Sequence, residues 1–289
     1  MPFKAGVLAT LVALIWGFNF VVMKWGVAHV PPLLLLTLRF LIAAVPAIFF
    51  IAKPAVAWHL IIGYGLAFGV VKFSLLFFAF KFGMIAGAGS VLLQAQVFFT
   101  VAFAVVLAGE RPHSRQWAAL ALAAAGLGVI GWGNASGAIG FLPFGLMVGA
   151  AASWGVANMI SKRAGTFEPL SFVVWTSAVS VPPLLALSLI FEGPATISHA
   201  LGNLEFLSIA AILYLAYPVT LVALAIWAWL LAHYDAAAIA PYALLVPVFG
   251  LSSAALVLGE IPNTQSLIGS AIIVAALMLN MWSGRRRVA

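Results

Sequence analysis

A single lysine interrupts one of the most apolar stretches of this chain. Lys72 lies within the run FGVVKFSLLFF, which extends from Phe68 to Phe78. A charged side chain near the centre of a bilayer costs about 2.5–3.5 kcal/mol on insertion scales, so some interaction must offset that cost. An ammonium that faces a cavity can bind a carboxylate there. The alternatives are that Lys72 extends to the membrane surface or donates to backbone carbonyls at a helix break.

Helical geometry favours a cavity at this position. At roughly 100° per residue, Gly65 and Ala79 share the face of Lys72, and Gly69 lies next to it. Small neighbours leave room for a bound molecule, although they also allow two helices to pack closely. We predict that Lys72 lines a cavity.

Two tryptophan–asparagine pairs extend this candidate site. Trp16 and Asn19 lie near the middle of the first apolar segment, and Trp154 and Asn158 lie near the middle of a later one. A buried amide needs a hydrogen-bond partner, which a bound molecule or a facing helix can supply. We predict that these four residues line the cavity, and contact between helices is the alternative.

Two glutamines and three tyrosines are further candidates. Gln94 and Gln96 lie about 200° apart on a helix, so we expect only one of them to face a cavity and choose Gln94. Tyr214 and Tyr217 share a helix face just before a proline, and Tyr242 follows another proline. Prolines bend helices that border cavities, but they are also common in helices that only span a membrane. The predicted substrate-binding or cavity set is Lys72, Trp16, Asn19, Gln94, Trp154, Asn158, Tyr214, Tyr217 and Tyr242.

We do not assign Arg39 or the six acidic residues to the substrate-binding set. Arg39 follows Pro32 by seven residues, close enough to a predicted membrane surface to reach it, so we interpret it as a structural or gate residue. Glu110 and Glu260 end matching segments and are interpreted as surface or turn residues. All six acidic residues lie at predicted helix ends or in loops. Ion-driven carriers often use an intramembrane Asp or Glu, so a carboxylate relay is not expected. Two options are left, facilitated diffusion down a gradient and coupling through groups such as backbone carbonyls, and we favour the first.

The elements that position these residues must lie in lipid. Of the 289 residues, 65% are apolar and only 7% are charged, against roughly 25% charged residues in soluble domains. The net charge of +7 therefore indicates membrane orientation and anionic headgroups rather than nucleic acid. The chain has no cysteine, and the predicted spans hold no cluster of His, Asp or Glu. We expect no catalytic residues, no metal and no cofactor.

Ten apolar runs reach the length of about 20 residues that a bilayer requires. The loops between them are short and leave no room for a soluble domain. The runs lie near residues 5–25, 32–52, 58–80, 85–108, 115–132, 141–163, 169–190, 204–231, 236–258 and 265–283.

The basic residues orient these spans. With ten spans both termini share one side, and placing them in the cytoplasm puts nine Lys and Arg residues inside and only Lys24 and Lys81 outside. Positive charge accumulates on cytoplasmic loops. We expect a multi-pass protein of the bacterial inner membrane with both termini cytoplasmic.

The chain contains two related halves. The stretch WGFNFVVMK, from Trp16, matches WGVANMISK, from Trp154, at an offset of 138, and VLAGERP, from Val106, matches LVLGEIP, from Leu256, at an offset of 150. Each half, residues 1–135 and 136–289, is predicted to hold five spans. Because five is odd, the second half enters the membrane from the opposite side. Such inverted repeats alternate access around a site at the bilayer midplane.

These motifs resemble those of a known family. Trp-Gly in the first span of each half and Gly-Glu at the end of the fourth are similar to EamA-type drug/metabolite transporters over essentially the whole chain. Within that family the chain is most similar to the YddG-type amino-acid exporters. The resemblance implies an all-α integral membrane protein, with ten helices around a central cavity, that exports amino acids, aromatic and other neutral ones, by alternating access. Its partners would be a small-molecule substrate, amino acids above all, and the bilayer, with no nucleic acid. The oligomeric state is left open, with a monomer as one option.

Other functions stay open alongside this one. One alternative hypothesis is export of other small metabolites or drugs, and another is a channel-like facilitator. A channel predicts a continuous polar stripe, whereas polar residues in the spans are sparse. A membrane enzyme needs clustered catalytic side chains, which the spans do not contain. The residues therefore favour a carrier over a channel or an enzyme.

Overall fold

The protein is built from helices. The computed structural model describes residues 3–108, 114–134, 140–234 and 239–284, and these contain no β-strand. The elements before residue 135 are α1 (Phe3–His29), α2 (Pro32–Ile48), α3 (Trp58–Lys81), α4 (Ala86–Leu92 and Gln96–Ala108, joined by the 3₁₀ turn Leu93–Ala95) and α5 (Ser114–Asn134).

A similar series of helices follows in the second half of the chain. These are α6 (Phe141–Ala164), α7 (Pro169–Phe191), the short α8 (Pro194–Gly202), α9 (Phe206–Tyr214, Leu215–Val222 and Ala223–His233), α10 (the 3₁₀ turn Ala240–Leu244, then Leu245–Leu258) and α11 (Thr264–Gly284).

Several of these helices suit a bilayer. Within the described ranges, six helices are long and apolar enough to cross a membrane, namely α1, α3, α4, α6, α7 and α9. The apolar parts of α2, α5, α10 and α11 are shorter, at 10–17 residues. The polarity pattern agrees with lipid as solvent, because Val71 and Val222 are about half exposed while the neighbouring Lys72 and Thr220 are buried. The protein is therefore a multi-pass membrane protein.

Two of the long helices change their winding near the middle. α3 is π-helical over Gly65–Lys72 and α9 is π-helical over Leu215–Val222. The two sections have the same length of eight residues and begin 150 residues apart. The 3₁₀ turns of α4 and α10 are each followed by an α-helical section of similar length, Gln96–Ala108 and Leu245–Leu258. Such irregular sections are frequent at functional sites.

The contacts between helices follow the same correspondence. Extensive contacts include those of α5 with α11, α2 with α7, α1 with α10, and α4 with α6. The counterparts of α1, α2, α4 and α5 in the second half are α6, α7, α10 and α11. When each helix is replaced by its counterpart, the α1–α10 pair becomes the α6–α4 pair, and the α2–α7 and α5–α11 pairs stay the same. One hydrophobic core includes buried residues from both halves, among them Met23, Phe77 and Met147. The halves therefore fold against each other rather than as separate units.

The Trp-Gly motif has a packing role at two of these crossings. A Cβ on Gly17 would lie 2.5 Å from Phe249 Cβ and 2.9 Å from the Gly250 nitrogen of α10. A Cβ on Gly155 would lie 2.9 Å from Phe99 Cβ of α4. Small residues let two helix backbones approach closely in a membrane. Glycine after tryptophan is thus required where α1 crosses α10 and where α6 crosses α4.

Carboxylates tie helices of the two halves together at their ends. Glu192, after α7, accepts hydrogen bonds from the Leu33 and Leu34 nitrogens at the start of α2, at 2.8 and 3.0 Å. Glu260, after α10, forms an ion pair with Lys24 of α1 and accepts a hydrogen bond of 2.8 Å from the Ala86 nitrogen of α4. Negative charge at a helix N-terminus is stabilising.

These contacts extend one interpretation made from the sequence. Glu260 lies in the link after α10, as a turn residue would, and its carboxylate also contacts α1 and α4. Its counterpart Glu110 lies outside the described residues.

We predict that Gly17→Ala destabilises the protein, because the added methyl group collides with the backbone of α10. Overpacking of this kind costs about 1–3 kcal/mol. The matched control is Gly128→Ala in α5, where no heavy atom lies within 4 Å of the new Cβ. The thermal unfolding midpoint in detergent should fall for the first variant and stay equal or rise for the second. An unchanged midpoint for Gly17→Ala would contradict the close crossing.

Candidate functional site

A central cavity of about 510 Å³ lies among the helices of both halves. Its lining comes from α1, α2, α3, α4, α6, α7, α9 and α10, with one residue of α11. This volume falls in the range of about 300–1,000 Å³ that is common for small-molecule sites. The lining is mostly apolar and aromatic, and no described residue that lines it is acidic.

Lys72 lies at the end of the π-helical section of α3 and faces this cavity. Its Nζ atom is 3.5 Å from the ring centroid of Phe73, 4.2 Å from that of Phe68 and 4.3 Å from that of Trp154. The lysine is 3% exposed. Among the described residues it has neither a carboxylate nor a hydrogen-bond acceptor as a partner. Three aromatic faces stabilise the ammonium but leave its hydrogen-bonding capacity unused.

A second cation, Arg39 of α2, lines the same cavity. Its Nε and Nη2 atoms donate to Thr220 Oγ1 of α9, at 3.3 and 3.1 Å. Its Nη1 atom is buried without a hydrogen-bond partner. A buried donor that is left unpaired costs about 1–3 kcal/mol. The guanidinium is therefore anchored on one side and unsatisfied on the other.

The position of Arg39 differs from the sequence-based expectation. Its short distance from Pro32 predicts a side chain that reaches the membrane surface, but the residue is only 3% exposed. The arginine turns inward because Thr220 and the aromatic rings of Phe40 and Phe73 supply its contacts. An ionisable residue inside a predicted span was the signal available in the sequence.

Phe73 contacts both cations. The Arg39 Cζ atom lies 4.2 Å from the Phe73 ring centroid, and the Lys72 Nζ atom lies 3.5 Å from it. The two cationic centres are therefore no more than about 8 Å apart, a separation at which like charges repel appreciably in a low-dielectric site. With no acidic side chain among the described lining residues, the cavity is an electropositive site inside an apolar bundle.

One residue of the cavity lining also carries an unpaired acceptor. Asn19 of α1 is 8% exposed, and its Nδ2 atom contacts the Met23 sulfur at 3.8 Å. Its Oδ1 atom is buried without a hydrogen-bond partner. A ligand that carries a donor such as an ammonium can satisfy this oxygen.

Both glutamines of α4 line the cavity, which corrects the choice of Gln94 alone. The expected 200° separation assumes an uninterrupted α-helix. The 3₁₀ turn over Leu93–Ala95 changes the winding between the two side chains, so the assumption fails. Gln96 is held in place because its Oε1 atom accepts a 2.7 Å hydrogen bond from Asn158 Nδ2.

The structure brings five of the nine predicted residues to the cavity: Lys72, Trp16, Asn19, Gln94 and Trp154. The Trp16 indole donates to the Val219 carbonyl of α9 at 3.3 Å, and this contact fixes its ring at the cavity wall. The role of these five residues in binding a substrate stays a prediction.

The other four predicted residues lie outside the cavity lining. Asn158 supports the site indirectly, through its bonds to Gln96 and, at 3.0 Å, to Thr100 Oγ1. Tyr214 donates to the Ile15 carbonyl of α1 at 3.0 Å, which ties α9 to α1. Tyr217 is 40% exposed. Tyr242 packs in a small separate apolar cluster.

The chain belongs to the EamA-like transporter family. The family model matches it twice, over residues 3–132 and 142–282. An electropositive cavity in a bundle of membrane helices agrees with this membership, and the resemblance inferred from the Trp-Gly and Gly-Glu motifs is confirmed. The two matched segments lie within the two halves that the sequence repeats indicate.

Two of the relatives are similar over nearly their whole length, and a third over about two thirds of it. The chain is 41% identical to a probable amino-acid metabolite efflux pump of Escherichia coli (strain K12), covering 100% of this chain and 98% of the relative. It is 42% identical to the protein of the same description in Salmonella typhimurium, covering 99% and 98%. A probable terminal-alkyne amino-acid exporter of Streptantibioticus cattleyicolor is 28% identical over 71% of this chain and 67% of the relative.

A solved crystal structure shares the fold. It superposes with a TM-score of 0.62 at 21% identity and covers 99% of this chain and 98% of the other.

We predict that Phe73→Leu destabilises the protein partly through its contacts with the cations. In a Lys72→Met background the loss should shrink by about 0.5–2 kcal/mol, the value of a desolvated cation–π contact. Phe77→Leu is the matched control, because Phe77 is fully buried beside Phe73 but lies outside the cavity lining. Thermal unfolding of the four combinations in detergent measures the difference. Equal losses for Phe73→Leu in both backgrounds would refute the interaction.

Proposed function

We propose that this protein exports amino acids and related small metabolites across the bacterial inner membrane by alternating access. One observation carries the proposal: the Lys72 ammonium is enclosed by aromatic rings in a central cavity, without an acceptor or counter-ion among the described residues. A charge buried in this way is stable only if its lost hydration is replaced. A carboxylate supplies that replacement, and it is the group that all amino acids share.

The second group of the substrate that this proposal uses is its ammonium. Asn19 Oδ1 is a buried acceptor without a partner in the same cavity as Lys72. A zwitterion that donates to Asn19 and accepts from Lys72 satisfies both groups at once. The aromatic and small residues of the lining then accept varied side chains. The names of the curated relatives, which refer to amino-acid metabolites and amino acids, support this substrate class.

Alternating access rests on the proposed relation of the two halves. In this proposal residues 1–135 and 136–289 each span the membrane five times, with opposite orientations. The matched π-helical sections, the two Trp-Gly crossings and the exchange of contact pairs between the halves support a two-fold relation. A cavity between two such halves can open to either side as they rock against each other.

The proposed driving force is the substrate gradient. The acidic residues Glu168, Glu192, Glu205 and Glu260 lie at or near helix ends, and none of them lines the cavity. A carboxylate that carries a proton or sodium ion through the membrane is therefore not part of the proposed mechanism. Facilitated export down a concentration gradient needs only the binding groups described above.

We predict that Lys72→Ala reduces amino-acid counterflow in proteoliposomes. Removing the charge forfeits a charge-assisted hydrogen bond worth about 1.5–3 kcal/mol, which corresponds to a roughly ten- to hundredfold weaker apparent affinity. Lys72→Arg should restore the flux only in part, because the three aromatic rings around the ammonium leave little space for a planar guanidinium. The matched control is Lys81→Ala, which removes an exposed lysine at the end of the same helix.

Three outcomes would refute the proposal. Wild-type affinity in Lys72→Ala would show that the lysine does not bind the substrate. Flux that does not saturate would indicate a channel. Wild-type protein that moves none of a panel of aromatic, other neutral and charged amino acids would exclude amino-acid export.

A further prediction concerns orientation. Both termini should lie in the cytoplasm, because nine basic residues are then inside and two outside. An enzyme reporter that is active only in the periplasm, fused to either end, should give no signal. The matched control is the same reporter inserted after Lys81, between α3 and α4, where the proposed topology predicts activity. A periplasmic signal from either terminus would contradict the orientation.

A further inference from the structure

Two cations share the cavity, but the proposed function uses only one of them. Arg39 and Lys72 both contact Phe73, and no described residue of the lining is acidic. A substrate with a single carboxylate and an ammonium has no net charge, so it leaves the two positive charges of the site uncompensated. In a low-dielectric site the most favourable occupant is one that carries more negative than positive charge.

Arg39 has the unused hydrogen-bonding capacity that a second anionic group requires. Two of its nitrogens are bound to Thr220 Oγ1, while the buried Nη1 has no partner. Thr220 is itself fixed, because its hydroxyl donates to the Leu215 carbonyl at 2.8 Å inside the π-helical section of α9. The guanidinium is thus held in position before any substrate binds. Guanidinium groups bind carboxylates through paired, directional hydrogen bonds.

We propose that the preferred substrates of this cavity are dicarboxylic amino acids, whose second carboxylate binds Arg39. This inference rests on the proposed function, in which Lys72 binds the first carboxylate and Asn19 binds the ammonium. An α-amino dicarboxylate carries two carboxylates and one ammonium on a short chain, which matches two cations and one unpaired acceptor in one cavity. Arg39 is then the residue that distinguishes a dicarboxylic amino acid from its amide.

This assignment has a consequence for the driving force. A dicarboxylic amino acid carries one net negative charge at neutral pH, because its two carboxylates outweigh its ammonium. The bacterial cytoplasm is electrically negative, so the membrane potential favours outward movement of that charge. Export can then run without a proton-carrying carboxylate, which the described cavity lining does not contain.

The test compares labelled glutamate with labelled glutamine, its neutral isostere, in proteoliposomes that hold the full chain. Wild-type protein should export glutamate at least tenfold more efficiently than glutamine. An inside-negative potassium diffusion potential should accelerate the efflux of glutamate but not that of glutamine. Neither measurement requires a variant that folds.

Variants then assign the preference to Arg39. The glutamate-to-glutamine ratio should fall at least tenfold in Arg39→Gln. Thr220→Val, which leaves Arg39 in place but removes its anchor, should lower the ratio by a smaller factor. Lys81→Gln, which removes an exposed charge outside the cavity, should leave the ratio unchanged.

The outcomes separate this inference from the proposed function. Equal export of glutamate and glutamine, with loss of both in Lys72→Ala, would overturn the dicarboxylate assignment and leave amino-acid export standing. Folded Arg39→Gln that keeps the wild-type ratio would also overturn the assignment. Export of neither compound by wild-type protein that moves other amino acids would refute it as well. If wild-type protein moves no amino acid at all, both proposals fail.

Discussion

The burial of two cations without an acidic partner in the described lining is the constraint on which the rest of the structure depends. Arg39 and Lys72 lose most of their hydration inside a bundle that is apolar on its outer surface. Aromatic faces from α2, α3 and α6 partly compensate, and Thr220 of α9 adds hydrogen bonds. Because these partners come from both halves, a stable arrangement of the charges requires the two halves to be folded against each other. The two positive charges repel each other, and in the proposed mechanism the binding of an anion relieves this repulsion.

The scaffold that holds these charges depends on close helix crossings and on local changes of winding. Gly17 and Gly155 bring α1 against α10 and α6 against α4, so that Trp16 and Trp154 reach the cavity from opposite halves. The π-helical sections place Lys72 of α3 beside Trp154 and the Val219 carbonyl of α9 beside Trp16, and they carry Thr220 as well. The same backbone irregularity thus provides a cation in one half and the anchor for a cation in the other.

The family, the helical class and much of the site could be predicted from the sequence, because hydropathy and a single charge in an apolar run are strong signals. Lys72, Trp16 and Trp154 belong to this part. Arg39 and Gln96 could not be placed, because their orientation depends on a π-helical contact and on a 3₁₀ turn that no regular periodicity predicts. The spacing of Tyr214 and Tyr217 predicts a shared helix face at the cavity, yet neither residue lines it. Spacing specifies which residues lie together on a helix, but only the packing of the helices specifies which face turns inward.

The eight-residue π-helical sections make the chain sensitive to its own length. If the winding stayed the same, adding or deleting one residue in Gly65–Lys72 would turn everything beyond it by roughly 100°. Phe73 and Leu76 would then leave the cavity wall, although no side chain had been replaced. The same holds for Leu215–Val222, beyond which Leu224 and Trp227 line the cavity. Members of the family that differ by a single residue in these sections would therefore present different side chains to their substrates while keeping the same helices. Insertions and deletions at these two places are a route by which the site can change its specificity in one step.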